Sequence, residues 1–150
     1  MWAYVSGLVL ELHAETNHPE LDEDLSQRFN KVVIEEANKP SEESILASTN
    51  GYGLHLLAAK PDQSILFFIY CRTTDDVASL MRLYENKKLR VMIKNMLNRL
   101  LHQIGNMSTI ISSPLVADTR LDDRNILLIQ KFTGFHGKQK IYKPLLIELP

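Results

Sequence analysis

A single cysteine, Cys71, stands in this 150-residue chain. It excludes an internal disulfide framework and suits a reducing compartment, so a cytoplasmic protein is expected. No apolar run approaches the ~20 residues of a membrane-spanning helix. No basic stretch precedes an apolar core at the N-terminus, so a secretory signal is not expected either. The sequon Asn106-Met107-Ser108 is then a chance match.

Catalytic and ligand-binding signatures are equally scarce. Five histidines (His13, His18, His55, His102 and His136) are scattered without helical i, i+4 spacing or accompanying cysteines, which argues against a zinc site. Gly51-Tyr52-Gly53 and Gly134-Phe135-His136-Gly137 match neither a phosphate loop nor a dinucleotide fingerprint; they are turn sequences. Asp75-Asp76 and Asp122-Asp123 read as solvated caps rather than metal ligands. Arg72 and the following helix start could lower the pKa of Cys71, yet the end of a buried strand favours an inert structural thiol. We expect a protein without enzymatic activity, cofactor or metal.

Net charge is also lacking. It sums to −1, so the chain is no general polyanion binder. The distribution is uneven: residues 1–50 hold ten acids against three bases, residues 51–100 four against eight, and residues 101–150 four against six. Complementary faces, within the fold or between partners, are the natural consequence.

What is present is an ordinary globular composition, 45% apolar and 23% charged, in one domain able to bury roughly two-thirds of its unfolded surface. The opening strand and the closing Leu149-Pro150 suggest one interaction domain excised from a longer chain. Ala3 to His13 alternates, with Tyr4, Ser6, Leu8, Leu10 and Leu12 on one side, and predicts the first strand. Leu21, Leu25, Phe29, Val32 and Val33 recur at helical spacing, predicting an amphipathic helix over Glu20 to Ala37 that Asn38-Lys39-Pro40 stops. Its acidic first turn suits the helix dipole. Ser41 to Asn50 is either a loop or a short extra turn.

Gly51 to Ala59, the turn Lys60-Pro61-Asp62-Gln63 and the run Ser64 to Cys71 predict a hairpin. Thr73 to Asp76 caps a second helix, whose stretched apolar spacing allows a break between Glu85 and Lys88 and whose end falls near Gly105. Further strands are predicted from Thr109 to Pro114 or Val116, over Ile126 to Phe132 and over Lys140 to Glu148. Turns are predicted at Leu121 to Arg124 and Gly134 to Gly137, and Pro144 favours an edge position for the last strand. The order is a βαββαβ, ferredoxin-like two-layer α+β sandwich with an extra C-terminal strand pair.

Such a sheet leaves one face wet and should read as alternation. The run Ile65 to Cys71 is apolar on both sides, so something must cover its second face. The candidate interface is either the set with Val5, Val9, Ile65, Phe67 and Ile69 or the opposite set with Leu66, Phe68 and Tyr70. Arg82, Lys87, Lys88, Arg90, Lys94 and Arg99 form the strongest polar signal, opposed only by Glu85. Lys87, Arg90 and Lys94 make one helical stripe: a solvated face, or a docking surface for an acidic partner or a phosphate backbone. An RNA-binding module is the alternative, because Phe68 and Tyr70 share one side of the third strand, as base-stacking aromatics do.

The succession Pro61-Asp-Gln-Ser-Ile-Leu-Phe-Phe-Ile-Tyr-Cys-Arg72, then Leu80-Met-Arg-Leu-Tyr-Glu-Asn-Lys-Lys-Leu-Arg90, then Leu97-Asn-Arg-Leu-Leu101, resembles the TRADD N-terminal domain family. This family belongs to the death-domain adaptors of tumour-necrosis-factor receptor signalling. The similarity runs from Leu54 to Leu101, with a weaker echo at Trp2 to Tyr4. It implies an α/β sandwich with a non-enzymatic, cytoplasmic adaptor role in apoptosis or innate immunity, and a TRAF-like adaptor or another signalling protein as partner. The implied contact positions are Tyr4, Ala58, Lys60 and Ile65; a second aromatic expected two residues after Tyr4 is Ser6 here. Adding the strand and the basic stripe, the candidate partner-binding residues are Tyr4, Ala58, Lys60, Ile65, Phe67, Lys87, Arg90 and Lys94.

Overall fold

The computed structural model describes residues 2–5, 7–37, 54–104, 115–139 and 145–148. It is a mixed α+β protein. Strands β2 (Leu8–Thr16), β3 (His55–Pro61), β4 (Ile65–Cys71) and β5 (Ala117–Leu121) form an antiparallel sheet in the order β3-β4-β2-β5. A short β1 (Trp2–Val5) pairs with β6 (Leu145–Glu148) in a separate two-stranded sheet. The helices are α1 (Asp22–Ala37), preceded by a 3-10 turn at Pro19–Leu21, then α2 (Thr74–Glu85), α3 (Lys88–Gln103) and α4 (Asp123–Gln139). None of the described helices is long and apolar enough to cross a membrane.

The core lies between the inner face of the sheet and the helices. Leu8, Leu10, Leu12 and Ala14 alternate inward on β2, and Ile65, Phe67, Ile69 and Cys71 do so on β4. Against them pack Leu25 and Phe29 of α1, Val77 and Leu80 of α2, and Leu89, Ile93, Met96, Leu97 and Leu100 of α3. Phe29 meets Phe67 edge-on, with centroids 5.0 Å apart at 84°. Such an aromatic pair contributes about 0.5–1.5 kcal/mol beyond its buried area.

The hairpin forms as its turn chemistry requires. The Asp62 N–H donates to the Ser64 carbonyl at 2.8 Å, and Gln63 takes the left-handed conformation at φ 59°. Thr73 caps α2 in a full capping box: its hydroxyl accepts from the Asp76 N–H at 3.2 Å, and the Asp76 carboxylate accepts from the Thr73 N–H at 3.3 Å. The expected interruption of the second helix falls at Asn86-Lys87. Lys87 adopts φ 64°, its N–H returns to the Tyr84 carbonyl at 3.2 Å, and α3 begins directly after it.

Several expectations are corrected. The first strand is divided in two, and its parts enter different sheets. The division falls at Gly7, where an added Cβ would overlap the Cys71 carbonyl oxygen and lie 2.9 Å from the Arg72 Cα. The run Ile126 to Phe132, predicted as a strand, lies in α4, which also passes through the turn expected at Gly134 to Gly137. The four apolar residues Ile126 to Ile129 have no period of their own; the inward residues Asn125, Leu128, Ile129 and Phe132 have helical spacing. Leu121, predicted in a turn, ends β5. The element order therefore departs from a plain βαββαβ. The expectations for residues 41–50, for a strand over 109–114, for a cap at Gly105 and for an edge role of Pro144 lie outside the described residues.

Candidate functional site

The two sides of β4 are unlike. The inner side belongs entirely to the core; Ile65 and Phe67 are each 0% exposed, so these two candidate contacts are core residues. On the outer side Leu66, Phe68 and Tyr70 stand apart from the core cluster. Across β2 they face His13, Glu11 and Val9; across β3 they face Lys60, Ala58 and His55. The candidates Ala58 and Lys60 thus lie on this outer face, beside Phe68 and Leu66.

The outer face is closed at one end and open at the other. At the hairpin end Leu66 is 2% and His13 8% exposed. The His13 Nδ1 lies 3.1 Å from the Ser64 Oγ, and its Nε2 lies 2.9 Å from the Asp122 Oδ2. Arg120 pairs with Asp122 on the far side and reaches Glu15 at 3.5 Å. The His13 hydrogen bond holds the Asp122 carboxyl below the usual carboxylate range, and Arg120 adds to this. A hydroxyl, an imidazole and a carboxylate in a row invite comparison with acyl-transfer chemistry. Here the Ser64 hydroxyl is buried and also donates to the Asp62 carbonyl at 3.4 Å. The row ties the hairpin turn to the junction of β5 and α4.

Toward the middle the face opens. Lys60 places its ammonium 5.8 Å from the centre of the Phe68 ring. Phe68, Tyr70, Val9, Glu11 and Ala58 are all half-buried. At the far end lies an open groove of about 640 Å³, lined by His55, Leu57, Tyr70, Arg72, Thr73 and Asp76. The register of β3 against β4 shifts between Leu56 and Ala58, and Leu57 at that irregularity is 48% exposed. Hydrophobic alternation carries no sign of this bulge, so Leu57 is not among the expected contacts.

Both sheet edges are covered by side chains. On β3, Asn30 of α1 accepts from the Ala59 N–H and donates to the Ala59 carbonyl, each at 2.8 Å. On β5, the Arg90 guanidinium donates to the Ala117 carbonyl at 3.3 Å, and the Tyr84 hydroxyl accepts from the Leu121 N–H at 3.3 Å. The Asp118 carboxylate accepts from the Thr119 N–H at 3.0 Å. A partner strand could not pair there without displacing these groups.

The basic stripe is built differently from its sequence reading. Lys87 is exposed at the α2–α3 junction, but Arg90 is spent on the β5 edge and lies 3.7 Å from Asp118. Lys94 is half-buried one turn further along α3. Tyr4 lies on β1, opposite Leu146 of β6, in the separate sheet. Cys71 is buried, and burial, with a smaller push from Asp76, raises its thiol to about 12. Among the described residues no three His, Cys, Asp or Glu side chains converge as a metal site.

Fold and face together define an α+β protein with one sheet face packed under helices and the other half open. Comparison with family models, with curated proteins and with solved structures finds no match to this chain.

Proposed function

We propose that this chain is a non-enzymatic protein-interaction domain of the signalling-adaptor class, TRADD N-terminal-like, acting in the cytoplasm and docking a partner protein through its outer sheet face. One observation carries the reading: Phe68, Tyr70 and Val9 lie half-buried together on the face of the sheet away from the core cluster. Apolar and aromatic groups clustered at the surface of a sheet are the usual centre of a docking site. The covered edges support face docking over strand addition. The ferredoxin-like reading is supported by the antiparallel order, in which β2 and β4 are central and the hairpin partner β3 and the late strand β5 lie at the edges. The buried thiol of Cys71 accords with a reducing compartment.

The same two aromatics favour a second reading, an RNA-binding surface. Glu11 and Glu15 of the neighbouring strand oppose it, because a phosphate backbone avoids carboxylates. The discriminating experiment compares affinity capture from cells by the wild type, Phe68→Glu and Ile34→Glu. Ile34 is 69% exposed on α1 and serves as the surface control. Proteins held by the wild type and by Ile34→Glu, but lost with Phe68→Glu, are the expected result. Partners that survive Phe68→Glu would overturn the proposal, and salt-sensitive RNA recovery would replace it with the second reading.

A further inference from the structure

The groove at the open end of the outer face differs chemically from the rest of that face. The other cations there are engaged: Lys60 lies over Phe68, and Arg120 is held by Glu15 and Asp122. Arg72 is exposed, and its guanidinium has no ion-pair or hydrogen-bond partner among the described residues; only its backbone N–H is used, by Asp76 at 2.9 Å. The Asp76 carboxylate is in turn occupied by the Arg72 and Thr73 N–H groups. His55 is exposed on the opposite wall. Glu11 is paired with Phe68, two residues along from the Val9–Tyr70 pair, and does not line the groove.

The apolar part of the groove is held in place. Tyr70 faces Val9 and His55 in the sheet, and a Cβ on Gly7 would lie 2.9 Å from its ring. The missing side chain of Gly7 therefore makes room for the ring. Leu57 is turned to the surface at the register shift in β3. Tyrosine and arginine are residue types that anchor protein interfaces, the exposed leucine adds apolar area beside them, and a planar guanidinium favours a carboxylate partner.

We infer that this groove is the anchor of the docking face and takes an apolar side chain flanked by carboxylates, as an acidic segment of a partner protein presents. The inference rests on the docking reading above and adds the chemistry of the occupant. The test is a nitrogen-15 NMR titration of the whole chain with two capped peptides, Asp-Glu-Leu-Phe-Glu-Gly and Arg-Lys-Leu-Phe-Lys-Gly. The acidic peptide should shift the amides of residues 55–57 and 70–73 and bind at least about tenfold tighter than the basic one. Arg72→Glu, an exposed substitution, should weaken the acidic peptide about tenfold and reverse the preference. Equal affinities, insensitivity to Arg72→Glu, or no binding of either peptide at roughly 1 mM would overturn the inference. Shifts confined to Phe68 and Val9 would overturn it too while leaving face docking intact, and the capture experiment decides that reading separately.

Discussion

Three asparagines connect this fold in the same way. Asn30, Asn98 and Asn125 sit on three different helices, and each amide both accepts from and donates to one residue's backbone: Ala59, Leu115 and Glu11 respectively. Asn30 and Asn125 stand in for a missing strand neighbour, and Asn98 holds the segment leading into β5, because an amide offers the same donor and acceptor as a peptide unit. Replacing Asn125, which is 3% exposed, with Ala orphans two backbone groups and should cost about 1–3 kcal/mol in urea unfolding. Asn125→Asp should not rescue it, since a carboxylate oxygen would face the Glu11 carbonyl. At the same scale, His13 and Asp122 predict an acid limb. The Asp122 carboxyl is held low in the folded state, first by His13, so its contribution is complete above about pH 4 and is lost as the pH falls further. Asp122→Asn should flatten that limb in thermal melts recorded across pH.

At the scale of elements, local chemistry decided what could be read in advance. The Thr73 cap and the interruption before Lys88 each announce themselves within a few residues and are present, and so does the hairpin turn, although Lys60 and Pro61 extend β3 and the turn itself falls on Asp62 to Ser64. Thr73→Ala should therefore cost about 1 kcal/mol of stability by denaturant melt, the ordinary loss for an N-cap. Ile126 to Phe132 was misread because its assignment depends on which side meets the sheet. Ile126 and Leu127 are exposed while Phe132 is 3% exposed, a difference that the apolar stretch Ile126 to Ile129 does not display. The divided first strand was illegible for a related reason. Gly7 is required by the approach of the Cys71 carbonyl, sixty-four positions away in sequence, and alternation says nothing about such a contact. Of the candidate site, Ala58 and Lys60 come from the family resemblance alone, and the register sets them opposite Phe68 and Leu66 on the outer face. Between the two alternate sets of the third strand the sequence leaves the choice open, since an apolar run conceals which set points inward; Ile65 and Phe67 belong to the inner one.

At the scale of the whole molecule, β4 has a buried structural side and a half-open side, the one proposed to dock a partner. Phe67 and Phe68 are adjacent and chemically identical, yet one is 0% exposed against Phe29 and the other is half-buried beneath Lys60. The most direct test is to unfold Phe67→Glu and Phe68→Glu side by side by temperature and by urea. Burying an unpaired carboxylate in the core should abolish the cooperative transition of Phe67→Glu. Phe68→Glu should keep one cooperative transition with an unchanged urea dependence. If Phe68→Glu instead loses its transition as Phe67→Glu does, both sides of the strand are interior, and no docking face exists.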